Sequence, residues 1–350
     1  MSKMEQKREW MGLYPEEMKA ALAEMGEKPF RAAQVFSWLH RGARFADMTN
    51  LPLALREKLK AEGVDQPVSV REERVSKLDG TKKFLFSLRD GNCVEGVLMR
   101  YRYGATLCIS TQVGCRMGCR FCASTLDGCV RNLTAAEMLG EVQCANRVLR
   151  DERVHNIVLM GSGEPLDNYD ETVRFLRLVS HPEGLNIGIR HISLSTCGLV
   201  PQIRRFAEEG LPVTLSLSLH APNDAIRRQI MPVALRYSIG ETLDACRYYL
   251  EKTGRRIVIE YALIDGVNAD EKCAMELADL LRGMQCHVNL IPLNTVKERK
   301  LKGVTEAQVA SFLFWLEKRH ISATRRREMG DDIEGACGQL RKKAMQEGQP

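Results

Sequence analysis

No apolar run in these 350 residues approaches the roughly 18 that a membrane span requires. The opening MSKMEQKREW also lacks the apolar stretch of a secretory leader. Sequence repeats and low-complexity tracts are missing too, so neither a solenoid nor a linker-like chain is indicated. Strong charge of one sign is absent: 51 Lys and Arg against 45 Asp and Glu leave a net +6, which permits an acidic partner such as RNA without demanding one. What remains is a cytosolic globular protein. Hydrophobic residues at 44% and charged residues at 27% support an ordinary core. The length suits one barrel-sized domain with a small appendage.

Twelve cysteines then need a use. With no signal for secretion, metal binding, catalysis or packing are the uses to weigh. Cys93, Cys129, Cys144, Cys197, Cys246, Cys273 and Cys286 stand in no metal-ligand spacing and read as small buried hydrophobes. Basic clusters at Arg204-Arg205, at KERKLK from Lys297 and at Arg325-Arg326-Arg327 read as solvated faces more readily than as phosphate contacts.

Residues 12–65 read as a helical unit. Pro15-Glu16-Glu17 opens a helix with Met18, Leu22 and Met25 on one face; Pro29-Phe30 starts a second with Ala33, Val35, Phe36 and Leu39; 51–60 give a third. KKFLFSL and VEGVLMRYR flank Arg89-Asp90-Gly91-Asn92, a hairpin signal. From Ala105 the strand-like runs ATLCIST, NIVLM, HISLST, VTLSLSL, RIVIEYALI and HVNLIPL alternate with helical segments near 134–150, 169–180, 201–209, 223–230, 239–253 and 269–284. Six repeats and a final helix at 305–319 predict an α/β partial barrel, with a doubly wound sheet as the competitor. In either architecture ligands gather at the C-terminal strand ends.

The first of these strands runs into Gln112-Val113-Gly114-Cys115-Arg116-Met117-Gly118-Cys119-Arg120-Phe121-Cys122. Three thiolates spaced Cys-x3-Cys-x2-Cys can wrap one soft metal centre, either an iron–sulfur cluster or zinc. Gly114 and Gly118 let the loop curl around it. Three ligands leave a metal position open, whereas a structural zinc site would close with a fourth, for which Cys129 is the nearest supply.

The spacing, with an aromatic residue before the last cysteine, resembles the signature of the radical S-adenosylmethionine (SAM) superfamily. That resemblance implies a [4Fe–4S] cluster on Cys115, Cys119 and Cys122, whose open iron is chelated by SAM and whose reduction generates a radical from it. Four further segments end strands: Gly161-Ser162-Gly163-Glu164-Pro165-Leu166, Leu194-Ser195-Thr196-Cys197-Gly198, Ser218-Leu219-His220-Ala221-Pro222-Asn223-Asp224 and Asn289-Leu290-Ile291-Pro292-Leu293-Asn294. With CISTQVGC, the tail GDDIEGACGQL and EKPFRAAQVFSWLH near the N-terminus, they are similar over nearly the whole chain to the dual-specificity 23S rRNA and tRNA adenine-C2 methyltransferases. Ser162 departs from the Met or Gly expected there, a change to another small residue. The implied SAM contacts are Gly163, Glu164, Ser195, Ser218, Leu219, His220 and Asn294. Taken singly, each has a plainer explanation as a turn, a cap or a structural histidine.

The implied fold is a partial (βα)6, TIM-like radical SAM barrel at 104–320. It carries a small N-terminal helical, RNA-binding domain at 1–70, a β-hairpin extension at 71–103 and a tail at 321–350. The implied chemistry is methylation of an electron-poor carbon that cannot attack the SAM methyl group itself. Cys337 matches the family's methyl carrier, Cys108 the thiol that resolves the protein–RNA adduct by forming a disulfide, and Glu95 the base that removes the C2 proton. Two SAM per turnover, a flavodoxin- or ferredoxin-type electron donor, 23S rRNA and tRNA substrates and a monomeric state come with the resemblance. The base must leave its stack to be reached. Without the resemblance, Cys108 reads as a buried strand residue and Glu95 as a solvent-facing carboxylate. The rivals are a C8-directed adenine methyltransferase of the antibiotic-resistance type and a non-catalytic metal-binding RNA adaptor.

Overall fold

The structure, a computed structural model, describes residues 7–294 and 299–333; Cys337, the expected methyl carrier, lies outside the described residues. Ten strands form one sheet whose spatial order follows the chain. Strands β1 (Val68–Val75), β2 (Lys82–Leu88), β3 (Cys93–Tyr101) and β4 (Gly104–Ile109) are antiparallel neighbours. Strand β4 then pairs in parallel with β5 (Val154–Leu159), and β6 (Ile192–Thr196), β7 (Thr214–Ser218), β8 (Ile257–Leu263), β9 (Cys286–Pro292) and β10 (Ala323–Arg325) continue in parallel. Among the described residues ten α-helices accompany the sheet: α1 (Pro15–Glu24), α2 (Arg31–His40), α3 (Leu53–Glu62), α4 (Ala135–Leu149), α5 (Tyr169–Val179), α6 (Val200–Glu208), α7 (Asp224–Ile230), α8 (Ile239–Thr253), α9 (Glu271–Leu281) and α10 (Glu306–Lys318).

Local chemistry sets these boundaries. Thr134, Ser238 and Thr305 cap α4, α8 and α10 in reciprocal pairs with Glu137, Glu241 and Gln308, so each helix starts where a hydroxyl and a partner three residues on satisfy the free N–H groups. Helix α8 stops at Gly254, held at φ +65°.

The six expected strands and seven expected helices of the repeat region are all present, each within about three residues of its predicted ends. The sheet nevertheless reaches further at both edges. Strand β10, in the segment read as tail, adds a seventh parallel strand; its three residues are half-buried to exposed, so no apolar run marks it. Strand β1 turns the hairpin into three antiparallel strands and runs across the boundary drawn at 70/71. Its SVREERV stretch is mostly exposed and carries a bulge between Val70 and Glu72, as suits an edge. In α2 the buried face is Ala32, Val35, Phe36, Leu39 and His40; Ala33 is exposed.

Helix α4 joins the N-terminal unit to the barrel. Twelve of its fifteen residues are buried, which places it between two layers. Gly140 admits β1: a Cβ there would sit 2.9 Å from Val68. On the far side the Trp10–Gly12 turn packs against Ala136, and Arg174 of α5 donates to Gly12 O at 3.1 Å and to both carboxylate oxygens of Glu17. One apolar core runs through both units.

The antiparallel strands present different residues on their two faces. Phe84, Phe86, Val94, Leu98, Leu107 and Ile109 enter the main core beneath the helices. Lys83, Leu85, Glu95, Val97, Met99 and Cys108 occupy the opposite, inner face, where Val97, Met99 and Cys108 form a separate cluster joined by Met160 and Met329.

Candidate active site

Beyond β4 the chain forms a short hairpin, Gln112–Gly114 against Cys129–Asn132, that frames the cysteine loop. Gly114 and Gly118 adopt φ +82° and +71°, the left-handed turns the loop requires. Cys115 N donates to Gly128 O at 2.8 Å, and Thr125 Oγ1 lies 3.0 Å from the carbonyls of both Cys119 and Cys122. Arg120 N donates to Ile230 O at 2.8 Å, docking the loop on the end of α7. Arg116 grips Asp167 with two bonds of 2.7 and 2.8 Å, and Gln112 Nε2 donates to the same carboxylate.

Cys115, Cys119 and Cys122 line a cavity of about 290 Å³ at the C-terminal ends of the parallel strands. Burial pushes the Cys115 thiol up to about 12, with Glu164 and neighbouring thiols adding to it, and pushes Cys119 up as well. Without a metal, both thiols therefore stay protonated at neutral pH, and loading a cationic centre releases their protons. Among the described residues no three His, Cys, Asp or Glu side chains converge tightly enough for a single ion.

The opposite walls come from the other strand ends. Gly161 N donates to Ile109 O at 3.0 Å, and a Cβ on Gly161 would sit 2.6 Å from that oxygen. Gly163, at φ +114°, would place a Cβ 2.7 Å from Thr111 Oγ1. Both positions therefore require glycine, and Ser162 between them accepts from Thr111 N and Gln112 N. Glu164 is buried, which raises its pKa, and its carboxylate accepts from Cys197 N at 2.7 Å and Leu166 N at 3.2 Å. Its side chain thus braces β6, while its N–H donates to Gln112 Oε1 at 2.9 Å and its C=O accepts from Asp167 N at 3.0 Å. Ser195 Oγ and Ser218 Oγ lie 3.2 Å apart. His220, at φ +56°, accepts from Ala262 N through Nδ1 at 2.9 Å. Burial, reinforced by Arg227, lowers its pKa to about 3, so the ring is neutral and Nε2 carries the proton as a donor.

Of the expected SAM contacts, Gly163, Glu164, Ser195, Ser218, His220 and Asn294 border the cavity. Leu219 does not: its side chain is in the main core and its N–H donates to Glu260 O at 3.1 Å. Glu260 and Arg326 border the cavity too and were missed; Asn289 Nδ2 donates to Glu260 Oε2 at 2.9 Å. Glu260 had a signal, a carboxylate inside the apolar run RIVIEYALI, whereas Arg326 was lost in a run of three arginines.

Cys108 and Glu95 lie off this cavity, on the inner face of the antiparallel strands. Cys108 is opposite Val97, so Glu95, two residues earlier on β3, is its diagonal neighbour on the same face. Glu95 is buried, not solvent-facing, and pairs with the fully buried Lys83 at 3.1 Å. The chain leading toward Cys337 is tied down nearby. Ser76 Oγ and Lys77 N donate to the Asp332 carboxylate at 2.6 and 2.8 Å, Gly330 N donates to Asp79, and Met329 packs in the Cys108 cluster. No disulfide joins any two of the described residues. Of the seven cysteines read as packing residues, Cys129 and Cys286 are half-buried and the others buried.

A [4Fe–4S] cluster fits this donor set: three thiols on one wall of the cavity, polar strand ends on the other, and a buried guanidinium nitrogen, Arg227 Nη1, without a partner among the described residues. The thiols would hold the cluster and the strand ends would hold SAM.

Comparison with known proteins agrees. Residues 109–278 match the model of the radical SAM superfamily, and residues 9–64 match that of the ribosomal RNA large subunit methyltransferase N-terminal domain. A curated protein of Alkaliphilus oremlandii, probable dual-specificity RNA methyltransferase RlmN, is 54% identical over 96% of this chain and 98% of its own. A counterpart with the same name from Lachnoclostridium phytofermentans is 57% identical over 93% of this chain and 92% of its own. The crystal structure of a radical SAM methyltransferase from Sphaerobacter thermophilus superposes with a TM-score of 0.92 at 44% identity, covering 95% of this chain and 98% of that one.

Proposed function

Because this chain belongs to the RlmN family of radical SAM RNA methyltransferases, we propose that it methylates C2 of adenosine in 23S rRNA and in tRNA, through a covalent protein–RNA intermediate on Cys337. The observation that carries this reading is the shared inner face of Glu95 and Cys108, with Met329, eight residues before Cys337, packed against it.

Adenine C2 lies between two ring nitrogens and has no lone pair to offer the electrophilic SAM methyl group. The methyl carbon must therefore first be mounted on a carrier and then made reactive. Bound cluster and SAM supply the radical that removes hydrogen from that carbon, and each turnover uses two SAM, one for the methyl group and one for the radical. The remaining tasks fall to side chains. Cys337 carries the carbon to C2. Glu95, held by Lys83, accepts the C2 proton. With the C2 proton gone and one electron returned to the oxidised cluster, the bridge would be a closed-shell thioether; the Cys108 thiolate attacks the Cys337 sulfur, the S–CH2 bond breaks with its electron pair on carbon, that carbon takes a proton to become the methyl group, and a Cys108–Cys337 disulfide remains for a thiol reductant to reopen. The burial of Cys108 beside Val97 and Met99 shields this thiol from other oxidants. Flavodoxin or ferredoxin supplies the electrons, and the enzyme acts as a monomer.

The test uses anaerobically reconstituted enzyme with 23S rRNA fragments and tRNA. Cys337→Ala should abolish methylation. Cys108→Ala should load the methyl group, add to RNA and stall, giving a slow-migrating band that RNase collapses. Mass spectrometry of wild-type product should find 2-methyladenosine. Recovery of 8-methyladenosine alone would transfer the assignment to the C8 reaction, and normal turnover by Cys108→Ala would remove the resolving role.

A further inference from the structure

Arg227 is fully buried on α7, and among the described residues it forms no ion pair with a carboxylate. Its guanidinium reaches back to main-chain carbonyls at the ends of β6 and β7: Nη2 donates to Cys197 O at 2.7 Å and, more weakly, to Ser218 O at 3.4 Å, while Nε donates to Leu219 O at 3.2 Å. Nη1 is buried with no partner among the described residues. Cys197 and Ser218, whose carbonyls it binds, both border the cavity. Cys197, at the head of this network, packs in one apolar group with Cys119, Ile230 and Met231, and Ile230 holds the cysteine loop through Arg120 N.

A desolvated guanidinium whose hydrogen bonds all go to carbonyl dipoles is less favourable than one hydrogen-bonded to a counter-ion. Burial indeed pulls its pKa below the ordinary arginine value. The strand ends could have been tied by a neutral donor. A buried positive charge gains stabilisation from an anion that completes the site; the nearby groups able to be anionic are Asp224, one turn earlier on α7, and the thiols of Cys197, Cys246 and the cluster ligand Cys119.

We propose that Arg227 is the counter-charge of the iron–sulfur centre and raises its reduction potential. The inference rests on the cluster assignment to Cys115, Cys119 and Cys122. Three thiolates make the assembled centre anionic, and each electron added makes it more so. A fixed cation close by therefore favours the reduced state and eases the electron transfer that starts each turnover. At an effective dielectric near 20, removing a unit charge even about 12 Å away changes the ratio of reduced to oxidised cluster about tenfold at a fixed potential.

The experiment is an anaerobic redox titration followed by EPR, on reconstituted wild-type, Arg227→Gln and Arg227→Lys proteins, with iron measured in each. Glutamine keeps two N–H donors for the carbonyls and removes the charge. Arg227→Gln should hold wild-type iron yet show a more negative midpoint, with the reduced fraction at fixed potential down about tenfold. Arg227→Lys should recover to within about twofold. Full iron with an unmoved midpoint in Arg227→Gln overturns the proposal, as does an equal shift in Arg227→Lys, which would make the residue a strand tie only. If Arg227→Gln fails to retain iron, the metal-free proteins decide. Without its anion the charge should be a liability, so metal-free Arg227→Gln should melt no lower than metal-free wild type; a clearly lower melting temperature overturns the proposal. Absence of iron from wild type would instead sink the cluster assignment beneath it.

Discussion

His40 and His220 are both buried with pKa values lowered to about 3, chiefly by desolvation. His220 spends Nδ1 on Ala262, and His40 stacks on Phe36 with ring centroids 4.1 Å apart and neither nitrogen hydrogen-bonded among the described residues. In the unfolded chain each titrates near 6.5. Above that value neither state binds the proton and the folded form keeps its full advantage. Between 6.5 and 3 only the unfolded state takes it up, so stability falls as pH falls, by about 1.4 kcal/mol per pH unit for each histidine. Urea midpoints measured from pH 7.5 to 5 should show this slope below 6.5, and His40→Leu should remove about half of the histidine share. An unchanged slope would mean that His40 is protonated in the native state. The thiols invite a second substitution. Cys119→Ala should lose most of the iron held by anaerobically purified protein, since two thiolates cannot retain the cluster, and unchanged iron content would remove Cys119 from the ligand set.

At the scale of elements, the turn after β5 is set by backbone geometry. Gly163→Ala would force a Cβ into Thr111 and Gln112 at a φ that L-residues avoid. It should weaken SAM binding at least tenfold in equilibrium dialysis while the circular dichroism spectrum stays native; undiminished binding would show that the turn does not touch the cofactor. Thr134→Ala removes the α4 cap and its 2.6 Å bond to Glu9, and should lower stability by about 1 kcal/mol in urea titration. Such elements were legible in the sequence because their signals are local: a capping residue with its partner three positions on, an apolar strand, a glycine at a sharp turn. Strand β10 and the charged β1 escaped because edge strands need no apolar alternation. Glu95 was misplaced in its environment for a related reason, since its partner Lys83 comes from a neighbouring strand and only the register reveals the pair. Arg227 gave no sign at all: an arginine in IRRQI looks like solvated helix until the strand-end carbonyls are seen around it.

Across the whole molecule, the N-terminal unit and the barrel share one core through the doubly covered α4. Calorimetry should therefore give a single cooperative transition, and removal of residues 1–64 should yield insoluble protein through exposure of that helix; two separated transitions would show that the units fold independently. The tie between Ser76 and Asp332 carries a different consequence, one of timing. It joins positions 256 residues apart, while the cysteine loop, Glu95 and Cys108 are all made within the first 122 residues. During N-to-C synthesis the metal ligands thus emerge long before the segment that secures the tail. A nascent chain therefore presents its metal ligands well before Asp332 exists to bind Ser76, so the cysteine loop and the tie that fixes residues 329–332 are separated in time.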